Sequence, residues 1–409
     1  MVGWDVPGWE EGGAAPADEL HPVPAPSATA AMPATSHTRA HDGMPIDMAL
    51  SFSRTAVEYS NVSRPQRANA GAPVAHMDAM VLNESGPIER APLRREEWPD
   101  PQPGPGEVRL RVECCGVCRT DLHVIEGDLP QHKRPIVPGH QIVGLVDRLG
   151  DGCRRLRVGQ RVGVAWLRHT CGVCPFCRAG RENLCEQSLY TGYDADGGYA
   201  QYAVGPEEFV YEIPAGFEAV QAAPLLCAGL IGYRALRRSN LRPGGRLALY
   251  GFGSSAHIVL QIALQRGCDV YVVSRAPQHV ELARALGARW AGTDAADMPV
   301  RADSAIIFAP AGELIPPALE HLEKGGTLAL AGIHMSPTPP LDYTRHLFYE
   351  REIRSVTANT REDARELLAE AAQIPIRAHV VRYGLADANQ ALLDLKADRI
   401  SGTAVLDVT

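Results

Sequence analysis

Four cysteines lie within fifteen residues of one another, at Cys171, Cys174, Cys177 and Cys185. Thiolates at this spacing can surround one Zn²⁺ ion tetrahedrally, and four of them leave no coordination position open. Such a site holds a loop in place and performs no chemistry. An iron–sulfur cluster is the alternative interpretation, because its ligand spacings look similar, and four free buried thiols are a third. The spacing favours a structural zinc site.

A sparser set of metal-binding residue types comprises Cys118, His140 and Cys227. Each of them alone is more often a small buried residue or a hydrogen-bonded histidine than a ligand. Together, two cysteines and one histidine form a three-ligand set, which leaves zinc a fourth position for water or substrate. The three residues are too far apart along the chain for their spacing to show that they meet. This second zinc site is therefore a hypothesis that rests on residue type.

A glycine-rich turn at Gly251, Gly253 and Ala256 follows an apolar strand at residues 246–250 and opens a helix at 255–266. The first glycine permits the tight turn, the second lets the backbone approach a pyrophosphate, and the alanine allows close packing of helix on strand. This context predicts a dinucleotide site.

The nucleotide itself is indicated by the residues around that turn. Ser254 and Ser255 lie where the first N–H groups and the dipole of the helix attract phosphate. The second strand, 270–273, ends in Ser274 and Arg275, where NAD-preferring proteins usually carry an acidic residue. Arg275 can pair with a 2′-phosphate, which favours NADP; the alternative is a solvated arginine or one stacked on adenine.

Two kinds of element must position these residues. Strands alternate with helices past Cys227, which is typical of a parallel sheet covered on both faces: strands at 246–250, 269–273, 304–308 and 327–332, and helices at 255–266, 278–286 and 313–322. Before that point, short strands bounded by Gly, Pro or Asp predict a β-rich unit: 79–82, 107–113, 142–147, 161–166 and 201–204. The fold class is therefore α/β with a second, β-rich domain.

Composition narrows the class of protein further. The 409 residues suggest two or three domains. The net charge of −8 and the absence of a long basic block argue against nucleic acid as a partner. No apolar run reaches the ~18 residues that a membrane span needs, and the first residues lack the pattern of a secretory signal. Ten cysteines without an export signal are typical of a cytoplasmic protein with metal ligands or thiols.

Residues 1–76 differ from the rest of the sequence. Ala and Pro make up 17 of the first 50 residues, and no helical or strand period is sustained. Such a segment cannot bury enough apolar surface to offset its ordering entropy, so we expect a disordered extension. A targeting or regulatory tail is the alternative, as is a start codon assigned too early, with Met77 as the true first residue.

From Met77 to its end the sequence resembles the zinc-dependent medium-chain alcohol dehydrogenases of the medium-chain dehydrogenase/reductase superfamily. The resemblance rests on Cys118-Arg-Thr-Asp-x-His123, Gly139-His140, the four-cysteine segment, and Cys227-Ala-Gly before the glycine-rich turn. It implies a GroES-like, partly open barrel as catalytic domain over residues 77–228 and 350–409. A Rossmann NAD(P)-binding domain would occupy 229–349, and the assembly would be a homodimer or homotetramer.

The resemblance also implies roles for single residues. Cys118, His140 and Cys227 would hold a catalytic zinc, and the four clustered cysteines a structural one. Asp121 would orient the histidine ligand, and Arg119 would contact the cofactor pyrophosphate.

The hydroxyl of Thr120 would hydrogen-bond the alcohol, and the imidazole of His123 would pass its proton to solvent through the cofactor ribose. Relatives commonly carry Glu where this chain has Gln141, which would change metal lability or rate. Leu129 and Trp166 would line the pocket for the alcohol, with a core position the alternative for Trp166.

The activity implied is reversible hydride transfer between an alcohol and NAD(P)⁺, giving an aldehyde or ketone. One alternative is an NADPH-dependent aldehyde reductase that works mainly in the reverse direction. Another is a zinc- and NAD(P)-binding sensor without catalysis, against which the complete set of zinc ligands argues.

Overall fold

The computed structural model describes residues 75–409, so the predictions for the first 74 residues lie outside the described part of the chain. The strands, in chain order, are β1 His76–Leu82, β2 Leu93–Pro99, β3 Glu107–Val117, β4 Gln141–Leu149, β5 Arg161–Val164, β6 Leu167–His169, β7 Leu189–Tyr190, β8 Tyr202–Pro206, β9 Val210–Glu212, β10 Arg246–Tyr250, β11 Asp269–Val273, β12 Trp290–Gly292, β13 Ala302–Ile307, β14 Leu322–Leu330, β15 Glu352–Ser355, β16 Val380–Gly384 and β17 Thr403–Asp407.

The helices are α1 Arg119–Glu126, α2 Pro175–Arg178, α3 Ala219–Ala222, α4 Ala228–Arg238, α5 Ser254–Gln265, α6 Pro277–Ala285, α7 Ile315–Glu320, α8 Tyr343–His346, α9 Arg361–Ala371 and α10 Ala388–Lys396. No single helix in residues 75–409 is long and apolar enough to cross a membrane, although the pair Ala219–Leu226 and Ala228–Arg238, bent by 46°, meets that length and composition together.

Five strands from the first half of the described residues and the last two strands of the chain form a mixed sheet. Its order is β16-β17-β3-β4-β5-β9, and β8 also pairs with β3. The alternation in β3 buries Val108, Leu110 and Val112 on one face, as the period of a strand requires. β17 pairs antiparallel with β3, opposite the residues that lead into α1. The last strand of the chain therefore braces the segment that ends at Cys118.

The second sheet is parallel throughout, with the order β12-β11-β10-β13-β14-β15. The chain runs outward from β10 on one side and then returns to β13, so the order reverses between these two central strands. This is the order of a Rossmann-type, doubly wound sheet, which leaves a crevice at the carboxyl ends of the two strands. Because α5 follows β10 directly, its first turn lies at that crevice.

The predicted elements agree best with the structure in the parallel sheet. β10 and β11 span the predicted residues 246–250 and 269–273. The predicted helix 313–322 is a 3-10 turn followed by the shorter α7, which carries two prolines near its start. β12 and β15 were not predicted, because three or four residues are too few for a period to show.

The second domain boundary was predicted at residue 350. β15 spans Glu352–Ser355 and pairs with β14, so the parallel sheet continues past that residue. The division into domains stays a prediction.

Candidate active site

Helix α1 begins at a cysteine that caps it. The Sγ of Cys118 accepts a hydrogen bond from the Thr120 N–H at 3.2 Å, and the Oδ2 of Asp121 accepts one from the Cys118 N–H at 3.0 Å. This is a capping box with a thiol in place of the usual hydroxyl. The start of α1 therefore fixes the cysteine and the carboxylate together.

The fold brings the three dispersed ligand residues together. The Sγ of Cys118 lies 3.5 Å from His140 Nε2 and 3.9 Å from the Sγ of Cys227, and the ligand atoms of all three lie within 4.8 Å of one another. Cys118 precedes α1, His140 precedes β4, and Cys227 precedes α4. Two thiols and one imidazole at these distances fit a zinc ion with one position left open.

Asp121 holds His140 in the orientation that such a site needs. The Nδ1 of His140 donates to Asp121 Oδ1 over 2.8 Å, and both side chains are buried. The bond leaves Nε2 facing the two thiols, as expected for a carboxylate that orients a histidine ligand.

The charges of this cluster depend on one another. Burial opposes a charged imidazole, but the carboxylate of Asp121 and the thiol of Cys118 raise the pKa of His140 to about 10. A hydrogen bond from Cys227 and the field of His140 hold the pKa of Cys118 well below its ordinary value despite burial. Because the ligands of a metal must be deprotonated, metal binding here releases protons.

The surroundings of the cluster are tightly packed. Gly139 has a φ of +96°, and a Cβ built on it would lie 2.7 Å from Tyr199 Cε1 and 3.0 Å from Cys115 Sγ. Gln141 is fully buried, and its amide oxygen and nitrogen make no hydrogen bond with any described residue. A neutral amide therefore lies next to the proposed ligand His140, where a glutamate would place a negative charge. The effect of Gln141 on metal lability stays a prediction.

Thr120 and His123 lie on α1 and differ in their access to solvent. Thr120 is buried, whereas the side chain of His123 is 22% exposed and its Nδ1 lies 2.7 Å from the carboxylate of Asp128. The ring of His123 also faces that of His334, with centroids 6.2 Å apart. Asp128 and His334 were missed from the sequence, since neither lies in a motif and His334 reaches α1 only through the fold.

The four clustered cysteines converge as predicted. Their sulfurs lie within 4.8 Å of one another, and backbone N–H groups of the same loop point at them, such as Cys174 N–H to Cys171 Sγ at 3.3 Å. These bonds lower the pKa of Cys171 to about 6. Four thiols at this distance fit a closed tetrahedral zinc site. We call residues 171–185 the cysteine lobe.

The glycine-rich turn has the shape that a dinucleotide requires. Gly251 has a φ of +85°, and a Cβ there would lie 2.9 Å from the Ala309 nitrogen, whereas the space beside Gly253 is open. Ser254 begins α5 and hydrogen-bonds the hydroxyl of Thr403 on β17, and Ser255 lies next to it in the same turn. The open space and the helix start fit a pyrophosphate.

The residues expected to select the nucleotide lie at the end of β11. Ser274 is buried and its hydroxyl lies 3.4 Å from His279 Nδ1, while Arg275 is exposed. Arg119, expected at the pyrophosphate, forms an ion pair with Asp398. Sequence reasoning missed Asp398, which lies 279 residues away.

The two predicted pocket residues lie in different surroundings. The rings of Trp166 and His140 pack edge to face, at 5.0 Å between centroids and an interplanar angle of 72°, and Trp166 also stacks on Tyr190 at 4.8 Å. Leu129 is half-buried and packs against the core of the β-rich unit. Trp166 therefore lies beside the open site and is also a packed residue. Of the cysteines outside the two clusters, Cys153 alone is half-buried, and the others are buried as expected.

Comparisons with known proteins agree with this geometry. Residues 104–215 match the alcohol dehydrogenase GroES-like domain, and residues 255–373 match the zinc-binding dehydrogenase family. A probable alcohol dehydrogenase AdhA of Mycobacterium tuberculosis is 52% identical over 341 residues, which cover 82% of this chain and 98% of that protein.

Solved structures are similar as well. A crystal structure of an NAD-dependent alcohol dehydrogenase has a TM-score of 0.75 at 25% identity and covers 81% of this chain and 100% of its own. A cobalt- and zinc-bound thermostable alcohol dehydrogenase from Pyrobaculum aerophilum has a TM-score of 0.73 at 28% identity, with coverages of 81% and 100%. With the two converging cysteine sites and the Rossmann-type sheet, these matches place the chain in the zinc-containing medium-chain dehydrogenase/reductase family, as an oxidoreductase that acts on alcohols.

Proposed function

We propose that this protein oxidises an alcohol reversibly to an aldehyde or ketone with NAD(P)⁺ as hydride acceptor, and that it holds two zinc ions per chain. The observation that carries the proposal is the convergence of Cys118, His140 and Cys227 on one point. A zinc ion held there supplies a Lewis acid that favours loss of the alcohol proton, and the nicotinamide supplies the acceptor for hydride.

The chain's own residues prepare the open site. Asp121 keeps Nδ1 of His140 protonated and its Nε2 turned to the two thiols. The N–H of Thr120 points at Cys118 Sγ, so the backbone supports the thiolate form of that ligand. Both contacts are made before a substrate arrives, so no reorganisation has to be driven by binding.

The proton of the alcohol needs a route out of the buried site. Thr120 is buried and can hydrogen-bond the alcohol hydroxyl, but it cannot reach water itself. His123 lies one helical turn further along α1, is partly exposed, and is held by the exposed carboxylate of Asp128. We assign Thr120 to the substrate hydroxyl and His123 to proton transfer with solvent.

The cysteine lobe is proposed as the structural zinc site, since its four thiols leave no position for substrate. For the nucleotide, Arg275 and the lack of an acid after β11 favour NADP. A hydrogen bond to a charged group contributes about 1.5–3 kcal/mol, so Arg275→Gln should lower kcat/KM for NADP⁺ roughly tenfold or more and leave that for NAD⁺ nearly unchanged. Equal losses for both cofactors would show that Arg275 does not discriminate.

The test combines metal analysis with kinetics on the zinc-loaded protein. A panel of alcohols with NAD⁺ and NADP⁺, followed at the absorbance of the reduced nicotinamide, should show turnover with about two zinc ions per chain. Cys118→Ser should abolish turnover and leave one zinc ion, while Cys153→Ser, which changes a half-buried cysteine outside both sites, should alter neither. Retained turnover in Cys118→Ser would refute its role as ligand.

The same assay separates the alternatives. Absence of turnover with either cofactor in the zinc-loaded protein would favour a zinc- and NAD(P)-binding sensor. A kcat/KM for aldehyde with NADPH far above that for alcohol with NADP⁺ would favour a reductase. A homodimer or homotetramer stays a prediction, which sedimentation of the same preparation tests.

A further inference from the structure

An ion pair between a buried glutamate and a partly exposed arginine ties the cysteine lobe to a helix that is distant in sequence. Glu182, three residues before Cys185, is 8% exposed. Its carboxylate accepts hydrogen bonds from the Arg361 guanidinium, at 2.7 Å from Nη2, and from the Arg361 backbone N–H at 2.7 Å. It also lies 3.5 Å from the hydroxyl of Thr170, the residue before Cys171. Glu182 therefore contacts both the residue that precedes the lobe and Arg361, the first residue of α9.

The start of α9 is in turn tied to α4. Asp363 is 1% exposed, caps α9 through Thr360, and accepts a hydrogen bond from Arg234 Nη1 at 2.6 Å. Arg234 Nη2 also donates to the side chain of Asn183 in the lobe at 3.3 Å. We call Glu182, Asn183, Arg361, Asp363 and Arg234 the lobe–helix network.

Helix α4 begins at a proposed ligand of the open metal site. Cys227 is its N-cap, and Arg234 follows seven residues later, which is two turns along the same face. Close packing accompanies the polar contacts, since a Cβ on Gly229 would lie 3.1 Å from Leu367 Cδ2 of α9. A shift of α9 is therefore transmitted to the first turn of α4.

We propose that Arg361 and Arg234 are positioning residues through which the cysteine lobe fixes Cys227, so that the closed metal site and the open one are coupled. The lobe takes no part in catalysis. When it is ordered, its contacts fix the position of α9, α9 fixes the position of α4, and α4 fixes the position of the Cys227 thiol. The inference rests on the two zinc sites of the proposed function. Coupling of this kind is reciprocal in binding free energy.

The experiment measures zinc release from the loaded protein into a chromogenic chelator. The kinetic phase that disappears in Cys118→Ser identifies the open site, and the phase that disappears in Cys174→Ser identifies the lobe. Arg361→Gln should speed the open-site phase several-fold, less than the roughly 10–100-fold found when the direct hydrogen-bond partner of a metal ligand is lost, because Arg361 acts on Cys227 through α9 and α4. Arg361→Lys should restore part of the wild-type rate, and Cys174→Ser should also speed the open-site phase.

Arg266→Gln is the matched control. Arg266 makes a similar two-bond pair with Glu370 of α9, at 2.7 and 2.9 Å, and its guanidinium lies over the Tyr233 ring of α4, so it joins the two helices without a residue of the lobe–helix network. The Arg266→Gln variant should be less stable than wild type, yet the rate of its open-site phase should stay within twofold of the wild-type rate. If Arg361→Gln does not fold, Glu182→Gln removes the charge of the other partner of the ion pair and should speed the open-site phase in the same way.

The outcomes separate the two proposals. An open-site phase that is unchanged in Arg361→Gln while the lobe phase or the unfolding midpoint shifts would overturn the coupling alone. Equal acceleration in Arg266→Gln would overturn it too, since helix stability would then be sufficient. Absence of any Cys118-dependent phase in the wild-type protein would overturn the proposed metal site, and the coupling with it.

Discussion

Replacing Gly139 by alanine should damage the open metal site through two separable effects. Gly139 has a φ of +96°, a left-handed backbone that costs an L-residue about 1–2 kcal/mol. The new Cβ would also lie 2.7 Å from Tyr199 Cε1 and 3.0 Å from Cys115 Sγ. Both neighbours are fully buried and cannot turn away, so overpacking adds about 1–3 kcal/mol. The free energy of unfolding should fall by about 2–5 kcal/mol in all.

Gly152→Ala isolates the backbone part of this loss, so comparison with Gly139→Ala gives the steric part. Gly152 has a φ of +84°, but nothing lies within 4 Å of a Cβ built there. It should therefore lose only the backbone term, about 1–2 kcal/mol. The difference between the two variants in urea unfolding is the overpacking term, which we expect at about 1–3 kcal/mol.

The functional consequence follows from the neighbour in sequence. Because His140 is the next residue, relief of the overlap moves its imidazole away from Cys118, and Gly139→Ala should release the zinc of the open site while Gly152→Ala retains it. Zinc per chain after gel filtration measures this. If both variants unfold with equal free energies and retain wild-type zinc, the packing argument around His140 is wrong.

Two further predictions concern buried polar groups. Asp121→Asn keeps the shape of the side chain but removes its charge and turns an amide toward the N–H of Cys118. The dissociation constant of zinc at the open site, measured by chelator competition, should therefore rise about 10–100-fold. A change within twofold would contradict the role of Asp121. Burial lowers the pKa of His257 to about 4, and its Nε2 accepts the His379 N–H. The folded protein thus binds fewer protons than the unfolded chain between pH 6.5 and 4, and stability falls as pH falls through that window. Between pH 6.5 and 5 this amounts to about 2 kcal/mol, which urea unfolding should show in wild type and not in His257→Gln; equal pH dependence in both would refute the assignment.

The parts of the site that are local in sequence were predictable from it. The four cysteines of the lobe span fifteen residues, so few conformations can place them anywhere but around one point. The turn at Gly251 was predictable for the same reason, since strand, glycine and helix are consecutive. Predictions weakened where elements are short, as with β12 and β15, because three or four residues carry no measurable period.

The sequence by itself determined which residue types are available for chemistry and which segments must close locally. Only the tertiary structure decided that Cys118 and Cys227, 109 residues apart, share one point with His140. It also placed Asp398 on Arg119 and tied the cysteine lobe to α4 through Arg361. The physical reason is that a side-chain contact between distant segments depends on how whole helices and strands pack against one another. That packing depends on many segments together and cannot be read from one of them.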